Sequence, residues 1–252
     1  MTIFESFLAT GKNHKSIQPS HYFKVYEEIL SPLKLNHPRI LEIGVRGGGF
    51  LAALKHYYDS KCILVGIDID ASILNLGLSE DINLEVGSQS DLSLLERVNS
   101  KFGPFDVIFD DGSHLLRDIK ISFNFLYPRM TSSGVYVIAD TNAAFMIAFD
   151  GLPWHTNVVK WASRKLVILN KSKLSNAAIR FKTLTRSISF HDSLIIFKRG
   201  QEVSLGTYDS SSGSIMPVQP NPGLKEYLIM RLRPGFKDFL KRVLYFVRIK
   251  RD

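Results

Sequence analysis

Leu41-Glu42-Ile43-Gly44-Val45-Arg46-Gly47-Gly48-Gly49 decides the fold. The apolar run from Arg39 to Ile43 has the length of a short β-strand, and it breaks into glycines that let backbone turn sharply and pack closely. Downstream, apolar residues at helical spacing predict a helix over Phe50–Tyr58. A second strand follows over Cys62–Ile67, ending at Asp68, then a short helix over Ile73–Leu78 and a third strand over Ile82–Val86. A helix over Leu92–Phe102 has Asp91 as its N-cap. The fourth strand is Phe105–Phe109, the next helix Leu115–Met130 and the fifth strand Gly134–Ala139.

Near-continuous apolar strands separated by helices argue for a parallel sheet covered on both faces. The expected fold is therefore α/β, a Rossmann-like, doubly wound, mostly parallel seven-stranded sheet. Two further strands come from a hairpin, Ile188–Phe190 and Leu194–Lys198, around His191-Asp192-Ser193. Between them and the fifth strand, Thr141–Trp154 reads as a loop or lid and Thr156–Asn170 as a helix. The expected division is a domain over 1–200 (a helical cover over 1–36 and a core over 37–200), a Pro/Gly/Ser-rich linker over 201–223 and a basic amphipathic tail over 224–252. There are no internal repeats.

Chemistry-bearing residues fall at successive strand ends. Glu42 precedes the glycines, and a carboxylate there repels a pyrophosphate but suits a cofactor carrying an amino group. Asp68 lies 24 residues beyond Gly44, placed to accept hydrogen bonds from ribose hydroxyls. Gly87-Ser88-Gln89-Ser90-Asp91 forms a polar loop able to meet an adenine edge after the third strand. Asp110-Asp111-Gly112-Ser113-His114 then ends the fourth strand with two carboxylates and an imidazole. Such a set places a divalent cation beside a general base. The alternative reading of this run is a turn in which Asp and Ser satisfy backbone groups. Phe145 and Trp154 are candidates for an acceptor pocket; His155 and His191 read as structural or surface residues.

The chain has 252 residues and a formal net charge of +8. Residues 224–252 hold nine Lys or Arg against three acids, and a second basic stretch runs from Lys160 to Arg186. Basic surface attracts nucleic acid, anionic lipid or anionic substrate. No zinc spacing and no aromatic RNA-binding motif is present, which argues against nucleic acid. For the tail, docking on the domain or on a second subunit competes with peripheral contact at an anionic membrane. No apolar run reaches the length of a membrane-spanning helix, and the N-terminus lacks a secretion pattern. The single cysteine, Cys62, fits a reducing, cytoplasmic setting and reads as core filler.

The order LEIGVRGGG (41–49), VGIDID (65–70), VGSQSD (86–91), FDVIFDDGSH (105–114) and GVYVIADT (134–141) resembles class I S-adenosylmethionine-dependent methyltransferases. More narrowly it resembles the macrolide and sugar O-methyltransferases of the mycinamicin and demethylmacrocin group. Cephalosporin-hydroxylase-like proteins are relatives. The resemblance spans about residues 10 to 200 and implies His114 as general base, with Asp111 and Asp140 binding Mg2+. It implies S-adenosylmethionine bound by Glu42, Gly44, Gly47, Asp68, Gly87, Ser88, Gln89 and Asp110. It also implies an N-terminal helix, bearing His21-Tyr22 and Tyr26-Glu27, that covers the cofactor. Relatives often carry Glu-Asp at the end of the fifth strand; here it is Ala139-Asp140, so Asp110, Glu42 or water is expected to complete the metal shell. The implied activity is metal-assisted methyl transfer to a hydroxyl of a sugar, glycan or glycosylated metabolite. A cephalosporin-hydroxylase-like oxygenase and an inactive binding module using the basic tail are the alternatives.

Overall fold

The structure, a computed structural model, describes residues 1–59, 62–149, 151, 155–171, 174–200, 206–209, 211 and 214–217. Two compact units divide the chain, residues 1–202 and 203–252.

In the first unit the elements run α1 (Ile3–Thr10), α2 (Tyr22–Leu30), β1 (Arg39–Ile43), α3 (Gly49–Tyr58), β2 (Ile63–Asp68), β3 (Ile82–Val86), α4 (Leu92–Phe102), β4 (Val107–Asp110), α5 (Leu116–Leu126), β5 (Val135–Ile138), α6 (Val158–Asn170), α7 (Asn176–Leu184), β6 (Thr185–His191) and β7 (Leu194–Arg199). The seven-stranded sheet has the order β3-β2-β1-β4-β5-β7-β6. β1 to β5 pair in parallel, while β7 runs antiparallel to both β5 and β6. The order reverses beside β1, so a crevice opens outside the carboxyl ends of β1 and β4, where open α/β sheets bind ligands.

Strand side chains alternate between two cores, as the two-residue period of a pleated strand requires. Leu41, Ile43, Val65, Ile67 and Ile108 pack in one core with Leu94, Leu95 and Val98 of α4 and Ile119 and Phe123 of α5. Ile40, Leu64, Val107, Phe109 and Val137 pack in the other with Ile3, Tyr22, Phe23, Tyr26, Phe50 and Leu54. Both faces are apolar, which is why the strands read as unbroken hydrophobic runs. Local signals set the helix starts. Thr2 and Glu5 form a reciprocal capping box for α1. Asp91 accepts from the N–H groups of Ser93 and Leu94 at the start of α4.

Several boundaries differ from expectation. The fourth strand begins at Val107 rather than Phe105 and extends to Asp110. α5 stops at Leu126, and Pro128 lies in a 3₁₀ turn over Tyr127–Arg129, because proline has no N–H to continue the helix. The short helix expected over Ile73–Leu78 is a 3₁₀ turn over Ala71–Asn75, with Asp70 accepting from the N–H of Ser72. The loop after Asp140 contains 3₁₀ turns at Thr141–Phe145 and Ile147–Phe149. α7 was not expected. Its apolar signal is sparse, and of its residues only Phe181 is buried.

In the second unit, β8 (Gly206–Asp209) and β9 (Ser214–Pro217) pair antiparallel. The segment 201–223, expected as a linker, therefore contains a hairpin. Ser210 to Gly213 have the small, polar composition of a hairpin turn. The expected tail over 224–252 lies outside the described residues, as does Trp154. Among the described residues no helix is long and apolar enough to cross a membrane.

Candidate active site

A cavity of about 310 Å³ opens at the carboxyl ends of β1 to β5. Glu42, Gly44, Asp68, Gly87, Ser88, Gln89, Asp111, His114 and Asp140 all line it. Backbone bonds lock the loops together. The N–H of Gly44 donates to the carbonyl of Ile67 (2.8 Å), that of Gly87 to Asp68 (2.8 Å) and that of Asp111 to Ile43 (2.9 Å). Gly44, at φ +91°, sits where a Cβ would come within 2.2 Å of the carbonyl oxygen of Asp111. Only glycine fits that approach, so the first glycine of the loop sets the spacing between the β1 and β4 loops.

The later glycines serve a different contact. A Cβ on Gly47 would meet the carbonyl oxygen of Lys15 at 2.2 Å, and one on Gly49 that of His14 at 2.6 Å. The strap between α1 and α2 lies directly on the glycine loop. Gly47, expected as a cofactor residue, faces this strap and does not line the cavity. Within the N-terminal helical cover, the strap is the part that reaches the cavity. Ser16, Ile17 and Gln18 line the cavity, while Tyr22, Phe23 and Tyr26 of α2 are buried in the core beneath. No sequence periodicity marks 16–18, because an extended strap has none.

Asp110 lies apart from the cavity lining. Strand alternation puts it on the same face as Ile108, turned away from the cavity. It is buried, accepting from Gln89 Nε2 (3.0 Å), Ser122 Oγ (3.0 Å) and the Tyr136 hydroxyl (2.6 Å). Burial pushes its carboxyl above the ordinary range, against the pull of those three donors. Asp110 therefore does not line the cavity, and both its carboxylate oxygens are engaged by donors on the α5 side of the sheet. Gln89 has a double role. It lines the cavity, but its amide nitrogen serves Asp110 and its oxygen accepts from the Ser113 N–H (2.7 Å). Its side chain thus braces the Asp110–His114 loop.

Asp111, His114 and Asp140 come together, with one ligand atom from each lying within 4.8 Å of the others. Two of the three are in left-handed backbone, His114 at φ 57° and Asp140 at φ 50°. Non-glycine residues held there cost on the order of 1–3 kcal/mol each and persist where surrounding structure enforces them. Tyr22 does so for Asp140. Its hydroxyl donates to Oδ1 (2.7 Å), accepts from the Asp140 N–H (3.2 Å) and lies 3.0 Å from the Ser193 carbonyl. The His114 ring meets Phe149 edge-on at 5.5 Å. Ala139 is buried in the apolar core, and the third donor of the cluster is the imidazole of His114 instead.

The electrostatics call for a cation. Glu42 Oε2 and Asp111 Oδ1 are buried and without a hydrogen-bond partner. Burial, with Asp111 and Asp68 nearby, pushes Glu42 well above the usual carboxylate range. Burial and the Asp140 charge push Asp111 up to about 7, opposed by a bond from Gln18 Nε2 (3.3 Å) and by Arg46. Orphaned buried carboxylates are costly unless a positive group meets them. Asp68 accepts from the N–H groups of Arg46 (2.8 Å) and Asp70 (2.9 Å), which fix its carboxylate at the mouth of the cavity. Sequence reasoning missed Asp118, which lines the cavity from the first turn of α5 and pairs with Arg117 Nε (2.9 Å). An acid there passes for an ordinary helix-start residue.

The class I methyltransferase fold is the class that this sheet and crevice define. In structure the chain is similar to the MycE methyltransferase of the mycinamycin biosynthetic pathway, solved with Mg, SAH and mycinamycin VI. The TM-score is 0.69 at 22% identity, over 84% of this chain and 58% of that one. In sequence it is similar to demethylmacrocin O-methyltransferase of Streptomyces fradiae, 32% identical over 139 residues, covering 52% of this chain and 34% of the relative. It is likewise similar to mycinamicin VI 2''-O-methyltransferase of Micromonospora griseorubida, 31% identical over 141 residues, again 52% of this chain and 34% of the relative. The matched segment thus spans about a third of the length of these relatives. No protein-family model matches the chain.

Proposed function

We propose that the protein is an S-adenosylmethionine-dependent O-methyltransferase that moves a methyl group to a hydroxyl of a sugar or glycosylated metabolite, assisted by Mg2+. One observation carries the reading: besides Asp118, which pairs with Arg117, four carboxylates, Glu42, Asp68, Asp111 and Asp140, face one cavity, and two of them have buried oxygens without partners. A cofactor bearing an ammonium and a sulfonium, together with a divalent cation, supplies the positive charge that this set lacks. The relatives named above, sugar-directed methyltransferases among them, support the same reading.

Glu42 would meet the cofactor's amino group, and Asp68 its ribose hydroxyls. Asp111 and Asp140 would hold the metal through oxygen, the ligand type Mg2+ prefers. When bound, Mg2+ lowers the pKa of an adjacent hydroxyl. His114 would take that hydroxyl's proton, and transfer of the methyl to the freed oxygen would break the sulfonium's S–CH3 bond and release S-adenosylhomocysteine. Tyr22 and the strap hold the carboxylates in place, so positioning supplies much of the rate. The donor set holds one imidazole and two carboxylates. A non-haem iron oxygenase site uses two histidines and one carboxylate, which argues against the oxygenase alternative.

The test is calorimetry with S-adenosylhomocysteine, followed by methyl transfer from labelled cofactor to a panel of sugars and glycosides with Mg2+ and with chelator. Absence of cofactor binding would overturn the reading. The composition of residues 224–252 supports a further part of it, peripheral contact with anionic lipid, and flotation of the full chain and of residues 1–223 with anionic vesicles tests that part.

A further inference from the structure

We infer that the acceptor is anionic, a saccharide bearing phosphate or carboxylate, held in a groove on the outer side of α5 lined by Arg117, Lys120, Asn124, His155 and Thr156. This rests on the methyl-transfer reading and adds the charge of the substrate. The groove has a volume of about 500 Å³, enough for a sugar ring with its charged substituent.

α5 connects the two sites. Arg117, Lys120, Ile121 and Asn124 fall at i, i+3, i+4 and i+7, one stripe of the helix, and line the groove. Asp118, one position round from Arg117, is buried and lines the cofactor cavity. The first cation of the groove stands three residues beyond His114. A ligand held by this stripe therefore lies beside the loop that carries the proposed base.

Apart from Asp118, which pairs with Arg117, the charge here is one-sided. Residues 151–191 contain no Asp or Glu and eight Lys or Arg. Arg164 Nη1 donates to the Thr156 hydroxyl (3.4 Å) and Lys160 Nζ to the His155 carbonyl (3.1 Å), which brings two more cations to the groove rim. Lys165 lies over the Phe181 ring at 4.7 Å. Burial holds its ammonium below the ordinary range, and the Lys120 charge adds to that. Among the described residues no ion pair engages Lys120 or Lys165. Lys120 and Lys165 repel one another, and an anion between them reverses the sign of that interaction. A neutral acceptor would leave the repulsion in place.

Calorimetry on the full chain loaded with S-adenosylhomocysteine and Mg2+ tests this with glucose 1-phosphate, glucuronic acid and methyl glucoside at low ionic strength. At least one anionic sugar is expected to bind tenfold or more tighter than methyl glucoside; which one does separates phosphate from carboxylate. High salt should shrink the advantage. Lys120→Glu, an exposed substitution, should remove it with affinity for S-adenosylhomocysteine unchanged. Equal binding of all three sugars overturns the inference. So does an advantage that survives in Lys120→Glu, which would place the anion at the metal. Anionic vesicles or DNA bound through Lys120, with no preference among the sugars, would overturn it in favour of a surface role. If S-adenosylhomocysteine itself fails to bind, the methyl-transfer reading falls, and the same sugar comparison run without it still decides the groove.

Discussion

Asp110 and Asp111 are neighbours in the chain and opposites in the fold. Asp110 closes β4 on the α5 side of the sheet, where three donors surround it. Asp111 starts the loop on the cavity side, where one of its oxygens has no partner. The first is a solved problem of burial, a carboxylate that organises Gln89, Ser122 and Tyr136. The second is an open demand for positive charge. Strand alternation sets which side Asp110 faces, and the groups waiting on each side set the role of each acid.

The largest expected effects separate this pair. Asp111→Asn should remove metal-dependent turnover, yet raise the melting temperature of the metal-free protein, because an unmatched buried acid is gone. Asp110→Asn should do the reverse to stability, costing about 2–4 kcal/mol as the new amide faces three donors. Denaturant unfolding and turnover of both variants give the comparison. Parallel behaviour of the two would break it.

His114→Ala should lower kcat by roughly 10²–10⁴-fold. Mn2+ affinity, read by electron paramagnetic resonance, sharpens the assignment. Retained affinity marks His114 as the base, whereas a matching loss makes it the third ligand of the Asp111–Asp140 pair. Asp68→Ala should weaken S-adenosylhomocysteine binding by about 1.5–3 kcal/mol, leaving two ribose hydroxyls unpaired. Unchanged affinity by calorimetry would remove Asp68 from the cofactor site.

The smallest effect is on pH. The carboxyl of Asp111 is raised to about 7 in the fold. A raised acid favours its protonated form, so the metal-free fold is steadiest at acid pH and loses stability as pH climbs from the ordinary carboxylate range through about 7. Metal binding needs the ionised form, so Mg2+ affinity should rise over that window, by at most about tenfold per pH unit for one competing proton. Calorimetry at pH 6 and pH 8 checks it; equal affinities would mean that Asp111 is already ionised at the lower pH.

The sheet was legible because its strands are buried on both faces and its loops carry acids and glycines at strand ends. Glu42, Asp68, Asp111 and His114 could be placed at strand ends from the residues themselves, and Asp140 from the family resemblance. The sequence by itself thus determined the fold class and, Asp118 apart, the acids facing the cavity. Only tertiary structure decided how they are used. Asp110 turns to Ser122 and Tyr136, Gln89 braces the Ser113 N–H, and Gly47 accommodates the Lys15 carbonyl. Those contacts join residues dozens of positions apart, and none leaves a periodic trace. Strand period fixes which face a residue points to, but whether a polar partner or an empty cavity waits there depends on elements that arrive from elsewhere in the chain.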